Sequence, residues 1–212
     1  MINNLGVINS DISNIKSITN LLDHVGQKYQ FINNKFNVES FDGIILPGVG
    51  NFKEFVKNLK KKDIYESLIK YISKKKNFLG ICLGMQFLFE ESEEASDEKG
   101  INFLEGKVVK FNFKNENLKI PHIGKKKIYI QKNKINNTFF ESFNSEEFYF
   151  LHSYYCKAEL SNELAYTTYN DVKFSSAIIK DKIIGVQFHP EKSAKNGINF
   201  IKNFLKEEIA IK

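Results

Sequence analysis

Along the first hundred residues the apolar positions alternate between short continuous runs and helical spacing. Leu5 to Asn9 forms the first run, and Ile15, Ile18, Leu21, Leu22 and Val25 then recur every three or four residues behind Ser10, Asp11 and Ser13, which suit helix caps. Tyr29 to Ile32 reads as a second strand, and Ile44 to Leu46, stopped by Pro47, as a third. A helix carrying Tyr65, Leu68, Ile69 and Ile72 leads into the apolar run Phe78, Leu79 and Ile81. Strands alternating with helices predict βαβ units and a parallel sheet, whose strands lose the in-out alternation because both faces are covered.

After Gly100 the texture changes. Gly106 to Phe113, Lys127 to Gln131, Glu147 to Tyr155, Leu164 to Tyr169, Ser176 to Lys180 and Ile183 to Phe188 read as strands with little helix between them, and Lys180-Asp181-Lys182 as a hairpin link. Gly197 to Ile211 closes the chain with Ile198, Ile201, Phe204, Leu205 and Ile209 at helical spacing. The expected fold is α/β: a central, mostly parallel sheet flanked by helices, with an antiparallel sheet added to it. No repeat, low-complexity linker or boundary divides the chain, so residues 1–212 are expected to form one domain.

Chemistry concentrates where the third helical pattern meets the fourth strand, at Gly80-Ile81-Cys82-Leu83-Gly84. From Leu83 the spacing becomes helical, with Leu83, Phe87, Leu88 and Phe89 on one side. Glycines two before and two after a nucleophile let the chain turn from strand to helix without Cβ clashes, as in a nucleophile elbow with Cys in place of Ser. A thiol there meets a helix N-terminus, whose partial positive charge favours thiolate. By itself the stretch also fits a buried cysteine beside a tight turn.

Composition narrows the alternatives. The net charge of +6 suggests nucleic acid, but every basic residue is Lys, and Arg is the side chain that makes bidentate phosphate and guanine contacts. The lysines therefore read as solvated surface, with no nucleic-acid partner. No apolar run approaches ~20 residues and Met1 to Ser10 lacks a secretory pattern, so a cytoplasmic protein without membrane contact is expected, with Cys82 and Cys156 as free thiols. No cofactor or metal is expected.

A thiol nucleophile needs a base, and the base an orienting group. Of His24, His122, His152 and His189, the last directly follows an apolar strand, is followed by Pro190, and has Glu191 two residues on. His24 reads as a helix-end surface residue. Gly80-Ile-Cys-Leu-Gly-Met-Gln86 together with Gly185-Val-Gln-Phe-His-Pro-Glu191 resembles the class I, triad-type glutamine amidotransferases. Leu46-Pro-Gly-Val-Gly50, Pro121-His-Ile-Gly124, Phe150-Leu-His-Ser-Tyr-Tyr155 and the end of the Gly185–Ser193 block are similar to the glutaminase subunits of imidazole glycerol phosphate synthase, over essentially the whole chain.

The resemblance implies a class I glutamine amidotransferase fold and a Cys82-His189-Glu191 triad that hydrolyses L-glutamine through a thioester. It implies an oxyanion site from the Leu83 N–H and the Gly48, Val49, Gly50 loop, with Gln86, Glu94, His152, Ser153 and Tyr154 as further glutamine-binding positions. Ammonia would pass through a channel to a (β/α)8-barrel cyclase partner in a heterodimer, docked against His122, Lys125, Tyr149 and Lys192. Two departures stand out. The family's glycine-rich first loop is replaced by Asn9-Ser-Asp-Ile-Ser-Asn14, and its partner-facing Trp by Lys125 in a chain without Trp. Both lie on the partner side, which admits as an alternative a paralogous glutaminase supplying ammonia for amidino-sugars of surface polysaccharides; a catalytically inactive binding subunit is an alternative of a different class, against which stand the three triad positions and both elbow glycines.

Overall fold

The computed structural model describes residues 2–11, 14–35, 38–113, 119–131 and 139–206. Ser13 of the expected cap cluster and Ile209 and Ile211 of the expected last helix lie outside them.

The frame is a run of five parallel strands in the order β2 (Gln30–Ile32), β1 (Leu5–Ile8), β3 (Gly43–Gly48), β4 (Asn77–Cys82) and β13 (Ile183–Val186). From β13 the same sheet continues antiparallel through β12 (Val172–Lys180) and β10 (Tyr154–Ala158) to β6 (Gly106–Lys110), with the two-residue β5 (Glu91–Ser92) beyond. Strand β11 (Glu163–Tyr169) pairs with β12 and carries β8 (Tyr129–Ile130). A separate antiparallel pair joins β7 (His122–Lys127) to β9 (Glu147–His152). The expected α/β class and mixed sheet are therefore present.

Burial on both faces explains why the first strands read as continuous apolar runs. Along β3, Ile45 faces one core with α1 (Ile15–His24) and α5 (Ala194–Leu205), while Ile44 and Leu46 face the other with α2 (Phe52–Lys61) and α3 (Ile64–Ser73). On β4, Phe78 and Leu79 divide in the same way.

Several elements differ from the expectation. Helix α2 was not anticipated, although Phe52, Phe55, Val56 and Leu59 form its buried stripe and Asn51 caps it by accepting from Glu54 N at 3.2 Å. Glu147 to Tyr155 is two strands, because the chain changes sheets at Ser153. The helix after Cys82, α4 (Leu83–Gln86), is a single turn. Phe87, Leu88 and Phe89 are all fully buried, so no exposed face exists for an amphipathic helix, and the chain tightens through Leu88 N–H donating to Met85 O and Phe89 N–H to Gln86 O. Strand β13 ends at Val186 rather than Phe188, and α5 begins at Ala194 rather than Gly197.

Candidate active site

Three neighbouring parallel strands end together, and the candidate residues lie at that edge. Gly48 of β3 stands in register with Cys82 of β4, and Val186 of β13 with Ile81. The C-terminal edge of a parallel sheet is where α/β folds place ligands.

Cys82 is 4% exposed and adopts φ 53°, ψ −104°, a conformation that L side chains rarely take. The turn that forces it depends on the two glycines. A Cβ on Gly80 would lie 2.3 Å from the Gly84 carbonyl oxygen, and one on Gly84 would lie 2.0 Å from that of Leu46. Local sequence thus sets the sharp turn, which leaves the thiol at the mouth of the strands.

His189 lies three residues beyond the end of β13, and two hydrogen bonds to its backbone, with a third between their partners, hold it in place. Its N–H donates to Tyr149 O at 2.8 Å, its carbonyl accepts from Ser193 Oγ at 2.7 Å, and Ser193 Oγ accepts from Tyr149 N at 3.0 Å. The Nδ1–H donates to Glu191 Oε1 at 2.7 Å, so Nε2 is the nitrogen left for the sulfur. Burial disfavours the imidazolium, but the Cys82 sulfur and the Glu191 carboxylate outweigh it and hold the pKa up to about 10. Nε2 has no other hydrogen-bond partner among the described residues, and the Cys82 sulfur draws it both by charge and as a hydrogen-bond acceptor. The arrangement is a buried thiol, a base and an orienting carboxylate, which is the equipment of nucleophilic acyl transfer.

A cleft of about 320 Å³ opens over the thiol, lined by Gly50, Cys82, Leu83, Gln86, Glu94, Pro121, Leu151, His152, Ser153 and Tyr154. It brings together all the expected glutamine-binding positions except Gly48 and Val49, which lead into it along the loop after β3. Gly50 reaches φ 98° at the rim, and a Cβ on Gly48 would lie 2.6 Å from that of Leu83. Glu94 accepts from Asn51 Nδ2 at 3.0 Å and Phe52 N at 3.2 Å, while burial pushes its carboxyl above the usual range. Another cleft of about 300 Å³, bounded by Glu90, Glu91, Glu93, Glu98, Lys99 and Lys107, offers neither a thiol nor a histidine, so size alone does not choose the site.

Two residues carry more, or other, than the sequence reading assigned. Gln187 Nε2 reaches Cys82 Sγ at 3.5 Å and Gln187 Oε1 accepts from Gln86 Nε2 at 3.3 Å. It stood inside a recognised block without a role. His122 was expected on the docking surface, and the structure corrects this: it is 1% exposed, stacked on Tyr169 with ring centroids 4.0 Å apart, and faces His152 in register. Its position on a strand flanked by exposed residues gave no sign of that burial. Lys125 and Lys192 are exposed and Tyr149 half-buried; Lys125 pairs with Tyr149 across β7 and β9, and Lys192 Nζ lies 5.6 Å from the Tyr149 ring centroid. No described helix is long and apolar enough to cross a membrane.

Comparison with known proteins agrees with this geometry. A family model described as "Glutamine amidotransferase class-I" matches residues 6–207. The chain is 39% identical over 202 residues to "Imidazole glycerol phosphate synthase subunit HisH" of Pyrococcus furiosus, covering 94% of this chain and 97% of that protein. It is 39% identical over 202 residues to the subunit of the same description in Methanocaldococcus jannaschii, covering 95% and 98%. Among solved structures, "Structure of PurLQS from Thermotoga maritima" superposes with a TM-score of 0.74 at 16% identity, covering 97% of this chain and 99% of that one, a likeness of fold alone. The chain belongs to the class-I glutamine amidotransferases and, within them, to the family of imidazole glycerol phosphate synthase HisH subunits.

Proposed function

We propose that this chain is the glutaminase subunit of an imidazole glycerol phosphate synthase. It hydrolyses L-glutamine to glutamate and ammonia and passes the ammonia to a cyclase subunit in histidine biosynthesis. The observation that carries the chemistry is Cys82 at the strained end of β4, coupled to the buried His189–Glu191 pair.

His189, whose pKa is raised by the sulfur and by Glu191, takes the thiol proton, and Glu191 holds the ring so that Nε2 faces the sulfur. Cys82 Sγ attacks the side-chain amide carbon of glutamine, and the oxyanion is met by the Leu83 N–H and an N–H of the Gly48–Gly50 loop. His189 gives its proton to the leaving nitrogen, the C–N bond breaks, and a γ-glutamyl thioester remains. Water, activated by the now neutral His189, attacks the thioester; glutamate leaves and the proton returns to the histidine–cysteine pair. Gln86, Glu94 and the backbone of His152, Ser153 and Tyr154 hold the rest of the substrate, with the Glu94 carboxylate as the acceptor for its α-ammonium group.

The partner in this reading is a (β/α)8-barrel subunit in a cytoplasmic heterodimer, docked on the face that carries Lys125, Tyr149 and Lys192. A flexible cation at Lys125 calls for a polar or acidic counterpart in the partner. Loading the partner with its own ligand speeds glutamine hydrolysis only if that ligand binds the active loop state more tightly than the resting one. The test is glutamate release from the chain mixed with the cyclase subunit of the same organism, with and without the cyclase substrate, beside Cys82→Ala. Cys82-dependent glutamate and imidazole product together support the reading. Glutamate without imidazole product, but with transfer to a sugar-modifying partner, replaces the acceptor and keeps the glutaminase.

A further inference from the structure

A chain of hydrogen bonds that ends on the nucleophile begins in the buried centre of the two-stranded sheet. His122 Nδ1 lies 3.1 Å from His152 Nε2, and His152 Nδ1 lies 2.9 Å from the Tyr154 carbonyl oxygen. A carbonyl only accepts, so His152 carries its proton on Nδ1. In a neutral ring Nε2 is then an acceptor, and His122 Nδ1 must donate to it. Both rings are neutral: burial pushes His122 down to about 4, helped by Lys126, and His152 down to about 3. The positions of the two heavy-atom contacts therefore fix both tautomers.

The Tyr154 carbonyl also accepts from Gln86 Nε2 at 3.1 Å. The same Gln86 amide gives its other hydrogen to Gln187 Oε1, and Gln187 Nε2 reaches Cys82 Sγ. A carboxamide can sit either way round, and here two acceptors at Nε2 settle which. Gln86 Oε1 is left as the amide's buried atom without a partner among the described residues, on a side chain that lines the cleft. The arrangement hinges on the Tyr154 carbonyl, and only Ser153 separates it from the end of β9. A His152 ring with its proton on Nε2 would set a nitrogen lone pair against that carbonyl and push the strand switch apart.

We propose that His122, which does not line the cleft, is a positioning residue for glutamine hydrolysis. It holds His152 in the Nδ1–H tautomer and thereby fixes the Tyr154 carbonyl and the orientation of the Gln86 amide. The proposal rests on the glutaminase reading and adds to it the residue that sets the binding amide.

The experiment compares His122→Phe, which keeps a flat ring against Tyr169 and Phe150 but has no donor, with His122→Asn, whose side-chain N–H stands near the place of Nδ1. Both are assayed as the complex with the cyclase subunit, with circular dichroism as the control for folding. His122→Phe raises KM for glutamine roughly tenfold and changes kcat less than about threefold, because Cys82 keeps His189. His122→Asn recovers KM to within about threefold of wild type, although it packs worse than Phe. Nitrogen-15 NMR of the wild type shows His152 protonated at Nδ1, and in His122→Phe that state is no longer unique. Equal KM values for wild type and His122→Phe overturn the proposal, as does an Asn variant no better than Phe, or a wild-type His152 protonated at Nε2. A complex that releases no glutamate at all removes the glutaminase reading and this role with it; the NMR result then separates that failure from a wrong hydrogen-bond assignment.

Discussion

Backbone strain at the nucleophile can be measured by removing the side chain that causes it. Cys82 holds φ 53°, ψ −104°, and a non-glycine residue in such a region costs about 1–3 kcal/mol. Cys82→Ala removes the sulfur and keeps the Cβ, whereas Cys82→Gly also removes the Cβ. Against the strain relief of ~2 kcal/mol, glycine costs about 0.5–1 kcal/mol in chain entropy and about 0.8 kcal/mol for one buried carbon. Cys82→Gly should therefore match Cys82→Ala in stability or exceed it by up to ~1 kcal/mol. Cys156 provides the internal control, since it is fully buried in β10 and is not among the residues with positive φ. There the same Ala-to-Gly step carries no relief and should cost about 1.5 kcal/mol. The difference between the two sites, about 2 kcal/mol, is the strain stored at the elbow. Urea unfolding followed by far-ultraviolet circular dichroism reads it, a suitable probe for a chain without Trp. A Cys82 pair with the same glycine deficit as the Cys156 pair would refute the strained elbow.

Further outcomes follow from the same geometry. A glutamine-analogue electrophile labels Cys82 and spares Cys156, whose thiol burial pushes well up; mass spectrometry showing label on Cys156 and activity surviving Cys82→Ala would end the assignment. His189→Asn abolishes hydrolysis about as fully as loss of the thiol, while Glu191→Gln costs less, since nucleophile and base act as a unit. His122 and His152 stay neutral when folded, with pKa values of about 4 and about 3. The unfolded chain protonates first, so stability present above pH ~6.5 is lost as pH falls toward 4, at about 1.4 kcal/mol per pH unit for each histidine. Urea midpoints should fall as pH drops from 7 to 4, and in His122→Phe about half of that slope should remain, carried by His152; a midpoint independent of pH there contradicts the buried neutral pair. Lys125→Glu should weaken assembly with the cyclase subunit strongly in a titration, and unchanged assembly would move the docking surface elsewhere.

What could be read in the sequence follows the burial pattern. Strands β1, β3 and β4 were legible because both faces are buried, which leaves an unmistakable apolar run. The elbow and the His189–Glu191 pair were legible because short-range chemistry fixes their spacing. Helix α2 carries an ordinary amphipathic stripe at Phe52, Phe55, Val56 and Leu59, but it starts directly behind the glycine-rich Gly48–Gly50 loop, whose turn signals mask the helix start. The break at Ser153 is a tertiary event: β9 and β10 each have strand-like sequence, and only the partners β7 and β6 pull them into different sheets. The run Phe87 to Phe89 misled because apolar residues in succession fit a helix or a buried turn equally well, and only full burial decides. The burial of His122 is not visible in the sequence, because the segment around it resembles a docking region, and one residue of a strand can point inward while Ile123 beside it is 58% exposed.

Glutamate release by the purified complex bears most directly on the central claim that Cys82, at the end of β4, and His189, just beyond β13, form a glutaminase. With the cyclase subunit loaded with its substrate, the wild-type chain should convert glutamine to glutamate in step with imidazole product, and Cys82→Ala should release none while still assembling. Undiminished glutamate release by Cys82→Ala, or none from the wild type in a fully assembled and loaded complex, would contradict the account.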